Sequence, residues 1–285
     1  SSYKRRNGIK VLDMGTSSIY GGYSNGGSQH NPLIPADFDF TEGDQDTDGE
    51  IEETNSNEDN ELSTINNPLV NWKDAKTFMS KLASGKSKNI GGVISNYVKA
   101  HGGAKSASKN AVGGIRTTIR LGNFISSVST QGIKETLSEY KIDFNNKSVK
   151  EILSELINVI APPPNTKEDA IARKSLVLTM EMLYALIEKE NLDIDSIENL
   201  DLNIVIPIYI ESYIYEKLIN DLGSRIEAYA KNASQAVELE RDIKDYIHAK
   251  IEIVFKEKEI RNYIFSDREI LKIYRQCYTV MEDLI

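Results

Sequence analysis

Residues 90–132 read IGGVISNYVKAHGGAKSASKNAVGGIRTTIRLGNFISSVSTQG. The stretch is built largely from Gly, Ala, Ser, Thr and Lys, with single apolar residues spaced along it. Ile90, Ile94, Tyr97 and Val98 recur at helical spacing, and so do Ile115, Ile119, Phe124, Ile125 and Val128. Between the two patterns, residues 101–114 carry Gly102-Gly103 near one end and Gly113-Gly114 at the other. Paired glycines tend to break helices, each costing about 1 kcal/mol against Ala in a helix interior. The pattern predicts two helices joined by, or closely packed around, a small-residue segment. Two uses of that segment stay open. Small side chains let another backbone approach closely, which suits a docking surface for a partner or for the chain's own later helices. The same property suits close helix–helix packing inside one core.

Outward from this stretch, helical signals are regular on the C-terminal side. Ser148 with Glu151 three residues later is a capping box, and it opens a helix with Ile152, Leu153, Leu156, Ile157 and Ile160 on one side. Pro162, Pro163 and Pro164 stop that helix. Thr166 with Asp169 marks the next start, followed by Leu176, Met180, Leu183 and Ile187. Residues 191–203 read as a loop with a short helix. Residues 204–210 have strand propensity, but Pro207 sits inside them, and a strand interior does not accept proline. A helix starting near Pro207 and continued by Leu218, Leu222, Ile226 and Tyr229 fits better. Leu239, Ile243, Tyr246, Ile247, Ile251 and Val254 mark a long helix. Ser266 and Glu269 form a second capping box ahead of Ile270, Leu271, Tyr274 and Tyr278. On the N-terminal side, Asn71 or Asp74 is the expected cap of a first helix anchored by Trp72, Phe78, Met79 and Leu82. The predicted fold class is therefore all-α: a helical domain over 68–285, with a basic, small-residue part at 68–132 and a helical bundle at 133–285.

The first 67 residues differ in composition. Residues 37–61 hold twelve Asp or Glu and no Lys or Arg, whereas residues 72–120 hold ten Lys or Arg and one acid, Asp74. Residues 36–67 read as an acidic linker, because so little apolar surface cannot offset the entropy of ordering. Gly21, Gly22, Gly26 and Gly27 lie with serines in a flexible segment, residues 14–35. It ends in an apolar island, Asn31-Pro32-Leu33-Ile34-Pro35, which its prolines hold extended. Such an island is either a short docking motif or a patch that packs locally. Residues 1–13 read as appended, and Met14-Gly15-Thr16-Ser17 reads as a natural start whose Met removal would expose Gly15. The net charge of the 285-residue chain is -9, which argues against a general nucleic-acid binder. Its single cysteine, Cys277, excludes an internal disulfide and fits a reducing, cytoplasmic compartment. No apolar run reaches the ~18 residues of a membrane span.

No catalytic constellation emerges, and no cofactor or metal is expected. Residues 44–55 resemble the start of a calcium loop, but Asn55 stands where a bidentate Glu is required. Gly85-Lys86-Ser87 resembles the end of a phosphate-binding loop, yet Ser80 replaces the upstream glycine. His30, His101 and His248 have no partners at metal-ligand spacing. A pairing of Cys277 with His248 is conceivable in space, but a buried structural cysteine is commoner. Lys99, Lys105, Lys109, Arg116 and Arg120 suit phosphates, which makes a nucleic-acid-binding effector using residues 72–120 the alternative function. Few aromatics interleave them, so base stacking has little support. The chain's own acidic arm or an acidic partner would serve as well.

Two places carry a family resemblance. One is Met14-Gly15-Thr16-Ser17 with the Gly-rich arm ending in Pro32, Leu33, Ile34 and Pro35. The other runs from His101-Gly102-Gly103-Ala104 through Gly113-Gly114-Ile115-Arg116 to Leu121-Gly122-Asn123-Phe124. Together they resemble the QatB family of bacterial Qat antiphage defence operons. The resemblance implies a non-enzymatic protein working with a QueC-like enzyme (QatC), an ATPase (QatA) and a TatD-like nuclease (QatD). By analogy with QueC-like enzymes that attach a deazaguanine to an N-terminal glycine, Gly15 would be a modification acceptor. Met14, Gly15, Thr16, Ser17 and the Pro32–Pro35 island, with His101, Gly102, Gly103, Lys105, Lys109, Arg116 and Arg120, are the expected partner-binding residues.

Overall fold

A computed structural model of the chain describes residues 68–189, 204–256, 258 and 264–283. The expected arm, with Met14-Gly15-Thr16-Ser17, the Pro32–Pro35 island and the acidic linker, lies outside the described residues, as does the loop expected at 191–203. Every regular element among the described residues is a helix, and the chain is all-α as its periodicity predicts. In order they are α1 (Pro68–Ala83), α2 (Ile90–Ala100), α3 (Gly103–Asn110), α4 (Val112–Gln131) and α5 (Ile133–Glu139). There follow α6 (Val149–Ile160), α7 (Lys167–Lys189), α8 (Val205–Tyr229), α9 (Ala233–Phe255) and α10 (Asp267–Glu282).

The core is organised on α8. Its Ile206, Tyr209, Ile210, Tyr213, Leu218, Leu222 and Ile226 are fully buried, and they do not share one face. A helix buried around its circumference needs neighbours on several sides. Helices α1, α4, α7 and α9 supply them. The amphipathic helices lie around this centre. Helix α6 packs Ile152, Leu153, Leu156, Ile157 and Ile160 inward, the five residues its spacing predicts. Helix α10 buries Ile270, Ile273, Tyr274, Cys277, Tyr278 and Met281, and packs on α2, α3, α4 and α9.

Local start signals act as the sequence indicates. Ser148 Oγ accepts from Glu151 N and Ser148 N donates to Glu151 Oε2 at 2.8 Å, a complete capping box. Thr166 Oγ1 accepts from Asp169 N at 3.1 Å and opens α7. Pro207 sits in the first turn of α8, where its missing N–H leaves no helical bond unmade.

Four expectations need correction. The small-residue segment is itself a helix, α3. The break falls at Gly102 and Gly103, whose φ of +84° and +80° only glycine adopts freely. Neither Asn71 nor Asp74 caps α1, which begins at Pro68, and Asn71 Nδ2 instead donates to Lys99 O at 3.3 Å. Ser266 caps α10 through its side chain, but Ser266 N donates to Ile264 O rather than to Glu269, so the box is half made. Phe78 and Tyr229 end exposed at the surface rather than in the core.

Candidate functional site

Helix α4 presents two unlike faces. Gly113, Gly114, Thr117, Thr118, Leu121 and Gly122 are buried. A Cβ at Gly113 would lie 2.6 Å from Glu168 O of α7. At Gly114 it would lie 2.7 Å from the Tyr213 ring and from Tyr274 Oη, and at Gly122 2.0 Å from the Phe265 ring. These glycines let α4 pack against α7, α8, α10 and Phe265 just ahead of α10, so the small-residue pattern serves packing at these three positions. The second face of α4 carries Val112, Arg116, Ile119 and Arg120, which repeat about once per turn. With Lys109 of α3 and Asp267 and Leu271 of α10 they line an open groove of about 420 Å³.

The groove gathers three of the five basic residues that composition singles out, Lys109, Arg116 and Arg120. Arg116 pairs with Asp169 at 3.2 Å, and Arg120 Nη1 donates to Ile160 O at 3.2 Å, which fixes both guanidinium groups. Lys109 is exposed and no acid among the described residues pairs with it. Lys105, one turn earlier on α3, is exposed and outside the lining. Val112 is 51% exposed on the rim.

His101 and the Gly102-Gly103 pair belong to internal structure. His101 stacks edge-on with Trp72 and Tyr97 at centroid distances of 5.0 and 4.7 Å. Its Nε2 lies 3.6 Å from Asp221 Oδ2, an ion-pair distance longer than a hydrogen bond. Tyr97 Oη donates to the same carboxylate at 2.9 Å and Lys167 reaches its other oxygen at 3.2 Å. Burial alone would push the Asp221 carboxyl up. The polar contacts of His101, Tyr97 and Lys167 outweigh it and hold the group down at about 2. Just beyond, the turn at Gly102-Gly103 exposes the N–H of Ala104, which donates to Glu282 Oε2 at 2.9 Å. Ser95 Oγ donates to Glu282 O at 2.6 Å, so the end of α10 is tied to α2 and α3.

A further polar cluster has no local sequence signal. Lys217 of α8 is buried and pairs with Glu168 of α7, which also accepts from Tyr213 Oη; the Lys217 ammonium donates to Asn110 O at 3.4 Å. His248 Nδ1 meets Glu211 at 2.8 Å, and that hydrogen bond raises the imidazole from its ordinary value. Cys277 is fully buried, and burial pushes its thiol up to about 12. Among the described residues, no three His, Cys, Asp or Glu gather in a group fit to hold a metal. No described helix is long and apolar enough to cross a membrane.

A family model described as Qat anti-phage system associated protein QatB matches residues 102–283, well over half of the chain. The chain belongs to the QatB family. It is therefore a component of the Qat anti-phage defence system. No curated protein and no solved structure matches the chain. The QatB match starts at Gly102, so α3, α4, the groove and all later helices fall inside it. Met14-Gly15-Thr16-Ser17 and the Pro32–Pro35 island fall outside it.

Proposed function

We propose that this QatB-family chain is a non-enzymatic component of a Qat defence complex, whose segment 14–35 is recognised by a QueC-like enzyme. Gly15, freed by removal of Met14, is the modification acceptor. Thr16, Ser17 and the Pro32, Leu33, Ile34, Pro35 island extend the docking segment. The Qat ATPase and the TatD-like nuclease are the further partners. The observation that supports a scaffold is the fate of the titratable side chains within the matched region. Asp221, Glu168, Lys217, Glu211 and Glu282 each sit in a pair or cap that joins helices, and Cys277 is buried with its thiol held protonated. An acceptor role suits a Gly/Ser-rich segment because an α-amino group with a pKa of about 8 is a usable nucleophile near neutral pH. It requires Gly15 to be the terminal residue.

Intact-mass measurement of the protein, expressed with its neighbouring genes from the native start codon, tests the reading. A mass excess localised to Gly15 by peptide sequencing is the expected result. An unmodified N-terminus refutes the acceptor role, and deletion through Pro35 without loss of partner binding or phage protection refutes the docking role. The second reading, a nucleic-acid-binding effector, is favoured by the collection of Lys109, Arg116 and Arg120 on one groove. Charge reversal of these residues with Lys105 tests it, since unchanged salt-dependent DNA and RNA binding removes it.

A further inference from the structure

We propose that the groove between α3, α4 and α10 binds an acidic, apolar-anchored peptide segment of a partner protein. This surface lies wholly in the folded domain and does not depend on the arm. Three observations support it. The cations are arranged rather than scattered: Arg116 and Arg120 are one turn apart, Arg116 pairs with Asp169 through one nitrogen and Arg120 is held by Ile160 O. Lys109 completes the set from the end of α3, and no described acid neutralises it. Between the cations, the surface is aliphatic, with Val112 standing half out of the protein beside Ile119 and Leu271. A partly exposed aliphatic strip beside cations suits a segment that is itself both apolar and charged.

The aliphatic part of the groove disfavours nucleic acid. Aliphatic side chains offer no stacking platform for bases. A peptide carrying a Leu or Ile to cover Val112 and Leu271, with Glu or Asp within a turn of it, satisfies both halves of the surface. Carboxylates would meet Lys109 and the exposed edges of the two guanidinium groups, bidentate where the fork of Arg allows. Because Arg116 and Arg120 are already positioned, little side-chain entropy is lost on binding.

The test uses the full-length protein and short fluorescein-labelled helical peptides read by anisotropy at physiological salt. The probe has Glu and Leu on one face. Its comparisons replace Leu by Ser or Glu by Lys, and a DNA oligonucleotide stands beside them. Lys109→Glu and Val112→Ser are the variants of choice, because both positions are exposed and their circular dichroism melts should match the parent. Saturable binding of the Glu/Leu peptide is expected, weakened about threefold to tenfold by Lys109→Glu and about fivefold by Val112→Ser. Absence of peptide binding overturns the proposal. So does equal binding of the Leu-to-Ser peptide, which would reduce the groove to a patch of charge. DNA binding that Lys109→Glu abolishes, with no binding of the Glu/Leu peptide, overturns it in favour of nucleic acid.

Discussion

Gly113→Ala sets two opposing effects against each other. Replacing a helical glycine by alanine in open space stabilises by up to about 1 kcal/mol. Here the new methyl would sit 2.6 Å from Glu168 O, 2.9 Å from its carbonyl carbon and 3.3 Å from Ala172 Cβ. The first two atoms are backbone and cannot rotate away. Helix α7 is also held at that turn, by the Thr166 cap and by Asp169 on Arg116. Overpacking of this kind costs roughly 1–3 kcal/mol. Any shift of Glu168 also disturbs its bonds to Lys217 and Tyr213, at about 1 kcal/mol. The net expectation is a loss of about 1–2 kcal/mol, which for a domain of this size lowers Tm by roughly 3–6 °C. Thermal unfolding followed by circular dichroism, with urea titration at fixed temperature, reads it directly. A variant melting at or above the parent temperature would mean that propensity prevails and α4 does not press on α7. The glycine would then be free for a partner, and the packing account of residues 113–114 would be wrong.

The other perturbations probe joints between helices. Ser148→Ala removes the acceptor that opens α6 and should cost about 1 kcal/mol in urea unfolding; no change would mean that the reciprocal Glu151 bond suffices. Glu282→Ala deprives the Ala104 N–H of its partner, so hydrogen exchange at that amide should accelerate well beyond the domain average. Asp221→Asn tests a charge. The folded Asp221 carboxyl is held at about 2, below its unfolded value near 3.9. Its stabilisation is therefore present above pH 4 and lost as pH falls through 2. At neutral pH the variant should be weaker by about 2 kcal/mol, and the gap to the parent should close between pH 4 and 2. A gap independent of pH would assign the effect to packing. Cys277, buried with its thiol at about 12, should react with an alkylating reagent at pH 8 about a thousandfold more slowly than a free thiol, and at the ordinary rate once unfolded.

Legibility of the fold followed the size of the side chains. Helices α6 and α7 were readable because Ser148–Glu151 and Thr166–Asp169 mark their starts and large aliphatics repeat along them. Helix α8 was readable despite the β-branched run at 204–210, because Pro207 ruled out a strand interior. Helix α3 was not, since GAKSASKN contains no large apolar side chain to mark its period; Ala104, Ala107 and Ser108 are buried because α10 lies against them. At the candidate site, the basic residues were legible from composition, but not which of them meet. Lys109, Arg116 and Arg120 converge while Lys105 does not, because the α3–α4 junction at Ala111 redirects the chain within one residue. The pair Lys217–Glu168 and the cluster around Asp221 were invisible, since Lys217 and Asp221 meet partners 49 to 124 residues away and no local pattern joins them.

The two uses first open for residues 90–132 are not alternatives once α4 is in place. A helix turns 100° per residue, so Gly113, Gly114, Thr117, Thr118 and Leu121 can share one face while Val112, Arg116 and Arg120 share another. The glycines draw the first face against α7, α8 and α10, where Thr118 Oγ1 meets Tyr274 Oη at 3.1 Å and the Tyr213 ring lies under Gly114. That close approach also brings Leu271 and Asp267 of α10 alongside the second face. The small residues are thus used internally, and what they leave for a partner is the groove that their packing creates. On this argument, substitutions that keep the glycines and alter the outer face should change binding without changing stability. Substitutions at the glycines should change both.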